Sequence, residues 1–543
     1  MDIALLALGL IALAAGTGVC GRFLPLLPLP LLQIAIGAAL GLSNFPGLQV
    51  KLEPEVFLML FIPPLLFADG WRLPKREAFH LRRTILLHAF LLVLVNVLLL
   101  GYFVHWLRPD IPLWAAFALG SVLSPTDAVA VSAIASRNKM PRTLLHIVQG
   151  EALLNDASGL VALKFSLLAS IGAFSLGAAA LNVLLVSAAG AGIGVVLAYV
   201  YGRARTWLAE ADGSTTVPLV LYLVLLPFGA YLLAEMLHVS GILAAAAAGI
   251  RMSYADPQHD DNAALRLQVG NFFSLFAYVL NGIIFLLLGL QLPGVIRDGV
   301  RTAAESGHSA LHLLTLVVMV TALILVIRFA WGWGSALLSR LTAKAGIGNE
   351  AVVPMPEGRV LVAHTFAGIR GAVTLAAAIS LPLQIAGGQA FPARDELILI
   401  AAGVIVLTLL IASIWLPILL RGLPQDGEKA IEQERADAAV KVSHAAIQAL
   451  SNDAGLEQAS DSDAARVVQV IKEEYEKRID AERQGVELEV DPSHDHILNK
   501  QARLVGLRAE REELHRLHHA GEINDETLRH LRKPLDLAEE SMR

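Results

Sequence analysis

Gly150-Glu151-Ala152-Leu153-Leu154-Asn155-Asp156-Ala157-Ser158-Gly159 opens a largely apolar run over 150–170 and puts two carboxylates and an amide inside it. A charged side chain at the centre of a bilayer costs about 2.5–3.5 kcal/mol on insertion scales, and such residues mark ion or proton pathways. Glu151 and Asn155 stand four residues apart, on one helix face. Asp156 is rotated about 100° from Asn155. One face can therefore be fixed structurally while its neighbour reaches into a cavity. A carboxylate there suits a proton or a small hard cation. The competing explanation is a carboxylate locked in a structural ion pair. Other long apolar segments hold Asp127, Arg328 and Arg370. Buried charges of both signs on distant segments point to an ion pathway.

The 543 residues are 55% hydrophobic and 17% charged, with a mean hydropathy of +0.61. Soluble domains run nearer 45–50% apolar and about 25% charged. Apolar stretches repeatedly exceed the ~20 residues that span a bilayer. The expected class is an all-α polytopic membrane protein. The run 3–19 follows Met1-Asp2 without a basic n-region or a small-residue cleavage site, so it reads as a first span rather than a signal peptide. A single cysteine, Cys20, excludes an intrachain disulfide and a thiolate metal cluster. From residue 422 onward there are 17 Lys and Arg against 27 Asp and Glu, a net of −10, and the remainder has a net of +4. This shift divides a membrane domain, 1–421, from an acidic helical tail, 422–543.

Hydropathy predicts thirteen spans, near 3–20, 24–42, 55–70, 84–107, 112–136, 143–171, 177–202, 216–236, 238–251, 270–292, 311–339, 359–384 and 396–420. The third and ninth are short. With the N-terminus outside, the short inner loops carry sixteen Lys and Arg and the outer loops five. The positive-inside bias puts the tail in the cytoplasm. Two spans at matching places in the two halves look broken. The fifth holds Ser124-Pro125-Thr126-Asp127 and the twelfth Gly368-Ile369-Arg370-Gly371. Such a pair points to an inverted-repeat transporter with its site at the midplane. Spans four to six and eleven to thirteen, near 84–171 and 311–420, form the two matching units. No direct sequence repeat accompanies them.

At the breaks, Asp127 can cap the free N–H groups of a half-helix and offset its positive end. Arg370 is its counterpart, placed to face a half-helix C-terminus. For these two a supporting role is preferred, leaving Thr126 and backbone carbonyls to face the ion. Glu151 and Arg328 are the candidates for a buried scaffold pair. Lys164, about two turns beyond Asp156, can snorkel toward the outer interface.

Gly150-Glu151-x-x-x-Asn155-Asp156, Ser124-Pro125-Thr126-Asp127-Ala128-Val129-Ala130 and Phe366-Ala367-Gly368-Ile369-Arg370-Gly371-Ala372 resemble the signatures of the monovalent cation:proton antiporter-1 family. That family comprises bacterial NhaP-type and animal NHE-type sodium/proton exchangers. Pro63-Pro64-Leu65-Leu66-Phe67 and His238-Val239-Ser240-Gly241-Ile242-Leu243-Ala244 fit its bacterial branch, and the similarity covers roughly 1–420. The resemblance implies a homodimer in the bacterial inner membrane, with dimerisation helices and a mobile core working as an elevator. It also implies Asp156 as the ion and proton carboxylate with Asn155 beside it, Glu151 and Arg328 as the structural pair, and Arg370 as the crossing arginine. Together with the reading of the break, this places the expected cation and proton site at Asp156, Asn155, Thr126 and Asp127. An Asn-Asp pair implies electroneutral exchange of one cation for one proton. Ala152 stands where relatives often have Ser, and Ala68-Asp69 where some have Glu directly after Pro-Pro-x-x-Phe. These departures leave ion preference open among Na⁺, Li⁺ and K⁺. No cofactor, resident metal or nucleic-acid partner is expected.

In the tail, 502–519 and 526–542 read as amphipathic helices, with breaks at Pro492 and 451–463. His515, His518, His519, His494 and His496 read as a solvated face rather than a pH sensor or metal site. Rival readings are a K⁺/H⁺ antiporter, a membrane sensor with vestigial transport, and an intramembrane aspartyl protease using Asp127 and Asp156. The last needs a Gly-x-Gly-Asp type element, which the chain lacks.

Overall fold

The computed structural model describes residues 3–23, 27–43, 54–138, 140–170, 176–211, 216–254, 263–344, 358–385, 389–423, 428–452, 462–484 and 497–541. Among these the regular elements are helices, with one isolated bridge between Gln384 and Ala390. In the first half they are α1 (Ile3–Phe23), α2 (Leu29–Leu42), α3 (Pro54–Arg72), α4 (Lys75–His80), α5 (Arg82–Leu86), α6 (Val93–Leu107), α7 (Leu113–Val122), α8 (Ala128–Asn138) and α9 (Arg142–Ala169). A π-helical segment, Leu87–Leu92, joins α5 to α6. There follow α10 (Leu176–Ala211), α11 (Thr216–Met236), α12 (Gly241–Tyr254), α13 (Ala263–Glu305), α14 (Ala310–Lys344), α15 (Gly358–Phe366), α16 (Ala372–Ile379) and α17 (Arg394–Leu420). The tail forms α18 (Glu428–Asn452), α19 (Ser462–Gln484), α20 (Ile497–His519) and α21 (Asp525–Ser541).

Among the described residues, seven segments are long and apolar enough to cross a membrane by length and composition: Arg82–Leu107, Arg142–Ala169, Leu185–Trp207, Pro218–Met236, Gln268–Glu305, Ala310–Leu337 and Arg394–Leu420. Ala7–Gly21, Leu29–Leu42 and Leu113–Val122 are shorter apolar helices. The remaining expected spans are short or interrupted: α3 carries Pro63 and Pro64, and α12 has 14 residues. The fifth and twelfth expected spans are broken, as α7/α8 and α15/α16. Both breaks fall on the Pro- and Gly-bearing motifs. Other helices outrun their apolar stretch. The 43-residue α13 ends in Arg297, Asp298, Arg301 and Glu305, and an Arg301–Glu305 pair at 3.2 Å supports its last turns. Extending a formed helix adds a hydrogen bond per residue fixed.

Burial sorts the spans. The most apolar window of Gln268–Glu305 is 61% buried and that of Leu185–Trp207 only 17%. The first is therefore central and the second peripheral. Val196, Tyr199, Val200 and Trp207 of α10 are exposed, the kind of face a lipid-contacting helix presents.

The chain separates into two compact units. The first comprises Met1–Leu73, His80–Ala255 and Phe273–Gln425, and the second takes Pro74–Phe79, Asp256–Phe272 and Asp426–Arg543. The second unit therefore includes the link between α3 and α5. Its core packs Ala438 and Val442 of α18 on Leu507, Leu514 and Leu517 of α20, with Ile523 and Leu535. Asp525, at the start of α21, accepts the Arg76 backbone N–H at 3.0 Å, and His518 Nε2 lies 3.0 Å from its other oxygen. Burial pushes the Asp525 carboxyl up, but His518, the Arg76 N–H and Lys75 together hold it down at about 2. The break expected at Pro492, the 453–461 part of that expected over 451–463, and His494 and His496 lie outside the described residues.

Glu510 of α20 is buried. It accepts from the Tyr475 hydroxyl at 3.2 Å and the Arg478 guanidinium at 2.9 Å. Burial outweighs both and lifts its carboxyl to about 7 from the usual 4.5. A raised carboxyl binds its proton more tightly when folded. The stability it contributes, up to about 3 kcal/mol, is full below pH 4.5 and lost as pH rises through 7. Asp525 acts in the opposite sense, but only near pH 2–4. Hydrogen exchange across Ile497–His519 in the full-length protein should therefore quicken from pH 5 to 8 beyond the intrinsic rate. Glu510→Gln should flatten that trend.

Candidate cation and proton site

The two breaks cross. The Asp127 backbone N–H donates to the Ile369 carbonyl at 2.8 Å, joining the α7–α8 break to the α15–α16 break. A half-helix leaves N–H groups free at its start and carbonyls at its end, and inside a bilayer each unsatisfied group costs several kcal/mol. Asp127 accepts the Val129 N–H at 2.9 Å and the Ala130 N–H at 3.0 Å, capping α8. Its carboxylate also accepts from the Ala372 N–H at the start of α16. Arg370, 1% exposed, donates to the Ser124 carbonyl at 2.6 Å and the Pro125 carbonyl at 3.0 Å, past the end of α7. Each charge thus neutralises helix ends of opposite polarity. Arg370 and Asp127 are spent on backbone groups rather than on each other.

The glycines of the twelfth-span motif make room for these charges. A Cβ on Gly371 would run into the Asp127 carboxylate, and one on Gly368 would lie 2.5 Å from Arg328 Cδ. Arg328 of α14 meets Glu151 of α9 in a bidentate pair, with N–O distances of 2.5 and 2.9 Å. Its Nε donates to the His364 carbonyl at 2.9 Å, near the end of α15. Three elements are pinned by one guanidinium.

Asn155 turns to the crossing. Its Nδ2 donates to Thr126 Oγ1 at 2.7 Å, and its Oδ1 accepts the Thr126 N–H at 3.3 Å. Asp156, one residue on, is 6% exposed, and its Oδ1 has no partner. It borders a cavity of about 50 Å³ with Asp69, Thr126, Asp127, Ala152 and Asn281 among the lining. That volume exceeds the 10–15 Å³ needed for one water. Of the residues singled out from the sequence, Asp156, Thr126 and Asp127 line the cavity. Asn155 stands behind Thr126, Glu151 and Arg328 form the separate pair, and Arg370 closes the crossing. Lys164 is exposed.

Sequence reasoning passed over Asp69 and Asn281 as site residues. Asp69 had registered only as a displaced carboxylate, and Asn281 is a lone amide within an apolar span. Arg108, just past the expected span 84–107, is one of the five outer-loop charges counted from the sequence. In fact Arg108 is buried, pairing with Glu396 of α17 at 2.8 Å and with Asp110. In each case the signal was a polar residue in or beside an apolar run, and for Arg108 the second partner, Glu396, is 288 residues away.

The profile of the sodium/hydrogen exchanger transmembrane family matches residues 9–422. The chain belongs to that family. It is 39% identical over 537 residues to the uncharacterized Na(+)/H(+) exchanger YjcE of Escherichia coli, covering 96% of both chains. It is also 39% identical over 448 residues to a Bacillus pumilus sodium, potassium, lithium and rubidium/H(+) antiporter, covering 82% of this chain and 64% of that one. The solved structure of the sodium proton antiporter MjNhaP1 from Methanocaldococcus jannaschii superposes with a TM-score of 0.52 at 18% identity, covering 77% of this chain and 99% of the other. The antiporter fold is therefore common to both. As a member of this family the chain is a multi-pass membrane transporter and not an enzyme. The match to YjcE extends through most of the tail, whereas the family profile ends at residue 422.

Removing one partner of a buried ion pair typically costs about 3–5 kcal/mol by stranding the other charge. Glu151→Gln should lower the melting temperature of the purified protein by several degrees, and adding Arg328→Gln should restore part of the loss. Gly371→Ala should displace Asp127 and abolish transport while the protein still reaches the membrane.

Proposed function

We propose that this chain exchanges monovalent cations for protons at Asp156, with Na⁺ or Li⁺ as the preferred cation and one proton moved per cation. The observation that carries this reading is the unpartnered Asp156 Oδ1 at a buried, water-sized cavity beside Thr126. One carboxylate oxygen free in such a place is available to a proton or a cation but not to both. Competition for it couples the two fluxes. Thr126 Oγ1 and Asp69 can complete an oxygen shell, since carboxylate, hydroxyl and carbonyl oxygens suit hard cations. Asn155 holds Thr126 in position and supplies no charge of its own, consistent with electroneutral exchange.

The working cycle in this reading is alternating access of elevator type in a homodimer. The crossing helices and the elements near 84–171 and 311–420 move as one core against the dimerisation helices. The protein sits in the bacterial inner membrane with its N-terminus periplasmic and the 422–543 domain cytoplasmic, as the distribution of Lys and Arg favours. K⁺ in place of Na⁺ is the second reading. It is supported by Ala152 at the cavity wall, which offers no hydroxyl, and by the name of the Bacillus relative, which includes potassium and rubidium.

In proteoliposomes, adding Na⁺ or Li⁺ should move protons in the wild type, and Asp156→Asn should be silent for every cation. Exchange should weaken as the pH falls, because protons then hold the carboxylate. Asp69→Asn should retain exchange with an apparent cation affinity lowered about tenfold, the equivalent of 1.4 kcal/mol. A response to K⁺ alone would replace the ion and keep the mechanism. A silent wild type across Na⁺, Li⁺ and K⁺ would overturn the reading.

A further inference from the structure

Outside the Asp156 cavity, a second cluster of ligating side chains lies between the π segment, α9 and α15. One donor atom each from His88, Glu151 and His364 lies within 4.8 Å of the other two, and all three residues are buried. We propose that this cluster is a binding site for a transition-metal dication of the Zn²⁺, Co²⁺ or Ni²⁺ class, and that the bound metal slows transport.

The hydrogen bonds present the right atoms. His88 Nδ1 lies 2.8 Å from the Thr84 carbonyl. A carbonyl only accepts, so the proton sits on Nδ1 and the Nε2 lone pair is free. A ring nitrogen donating to a backbone carbonyl is also the usual support of a metal-binding histidine. His364 Nε2 is buried without a partner, and its residue is 7% exposed. The two rings stand edge to face with centroids 5.2 Å apart. Each Glu151 oxygen accepts one Arg328 N–H and keeps a second lone pair. Trp331 Nε1 is likewise unpartnered, and its ring lies 6.0 Å from that of His88. It is a donor available to a metal-bound water.

Two imidazoles and a carboxylate select borderline metals over Na⁺, Mg²⁺ or Ca²⁺, which prefer all-oxygen shells. They are also the ligand set of zinc sites that keep a fourth position for water. The metal must share Glu151 with Arg328, whose charge opposes a dication, so binding is reversible rather than structural. When bound, it ties His88 to α9 and α15, and it draws Glu151 away from the guanidinium that pins these elements. Neither histidine lines the Asp156 cavity, so basal exchange does not require them.

The test is Co²⁺ titration of the full-length purified protein, followed by its visible absorption, together with Zn²⁺ addition during exchange in proteoliposomes. Wild type should develop a tetrahedral Co²⁺ spectrum and lose exchange several-fold on Zn²⁺ addition, with recovery on chelation. His88→Gln and His364→Gln should keep exchange in chelator and need at least about tenfold more metal for both effects. His308→Gln/His312→Gln, which alters a stacked pair outside the cluster, should respond like wild type. Should either cluster variant fail to fold, X-ray absorption of the Zn²⁺-loaded wild type decides, with two nitrogen ligands expected. Absence of binding, an all-oxygen shell, or unchanged metal sensitivity in both cluster variants would overturn the proposal. The spectral readout does not depend on exchange, so it stands or falls separately from the reading of Asp156.

Discussion

The structure turns on a problem of hydrogen bonding in a solvent that offers none. Two spans stop midway and cross, exposing helix ends where each unpaired N–H or carbonyl costs several kcal/mol. Asp127 takes N–H groups from the starts of α8 and α16, and Arg370 takes carbonyls past the end of α7. With both ends answered by fixed charges, the intervening backbone can stay extended beside a cavity. Without them those helix ends would stand unsatisfied inside the bilayer, at several kcal/mol each.

Around that crossing, the other buried charges act as fasteners. The Glu151–Arg328 pair holds α9, α14 and α15, and Arg108–Glu396 joins the end of α6 to the start of α17. Such pairs add little net stability over well-packed apolar residues, but breaking one is costly. They therefore specify which helices sit together more than how firmly. Asp156 is set apart by its place: Glu396 also keeps one oxygen unpartnered but is held by Arg108, whereas Asp156 borders the cavity. One of its oxygens has no fixed partner, and that is the condition for holding something that leaves.

Much of this was legible from the chain, because lipid removes ambiguity. A Pro or Gly pair in a hydrophobic span predicts a break, and both breaks lie where Pro125, Gly368 and Gly371 stand. Asp156, Glu151, Arg328 and Arg370 could be picked out because a charge in an apolar run is expensive wherever it lies. Partner choice was less legible. Asp127 caps its own half-helix α8 and also takes an N–H of α16, and Arg370 serves the end of α7; these contacts across the breaks could not be read from either motif. Asn155 looked like a neighbour of the ion but is occupied with Thr126. Asp69, Asn281 and the His88–His364 contact depend on which helices adjoin, and one helix face does not contain that information. The thirteen spans were also idealised: a hydropathy window sees an apolar core, whereas α10 and α13 run past theirs into polar sequence.

The crossing has an electrical consequence. Asp127 and Arg370 carry opposite charges, so together they contribute none to the region they hold. The charge of the cavity is then that of Asp69 and Asp156 and whatever they carry. Moving one elementary charge through a membrane potential involves about 2.3 kcal/mol per 100 mV. In the elevator cycle proposed above, a cavity whose carboxylates are both compensated would travel indifferent to voltage, and one left bare would be driven or opposed by it. In the one-for-one exchange proposed above a fixed carboxylate ends each cycle where it began, so Asp69, one position beyond the place where some relatives carry Glu, would shape how single steps respond to voltage and leave the overall balance unchanged.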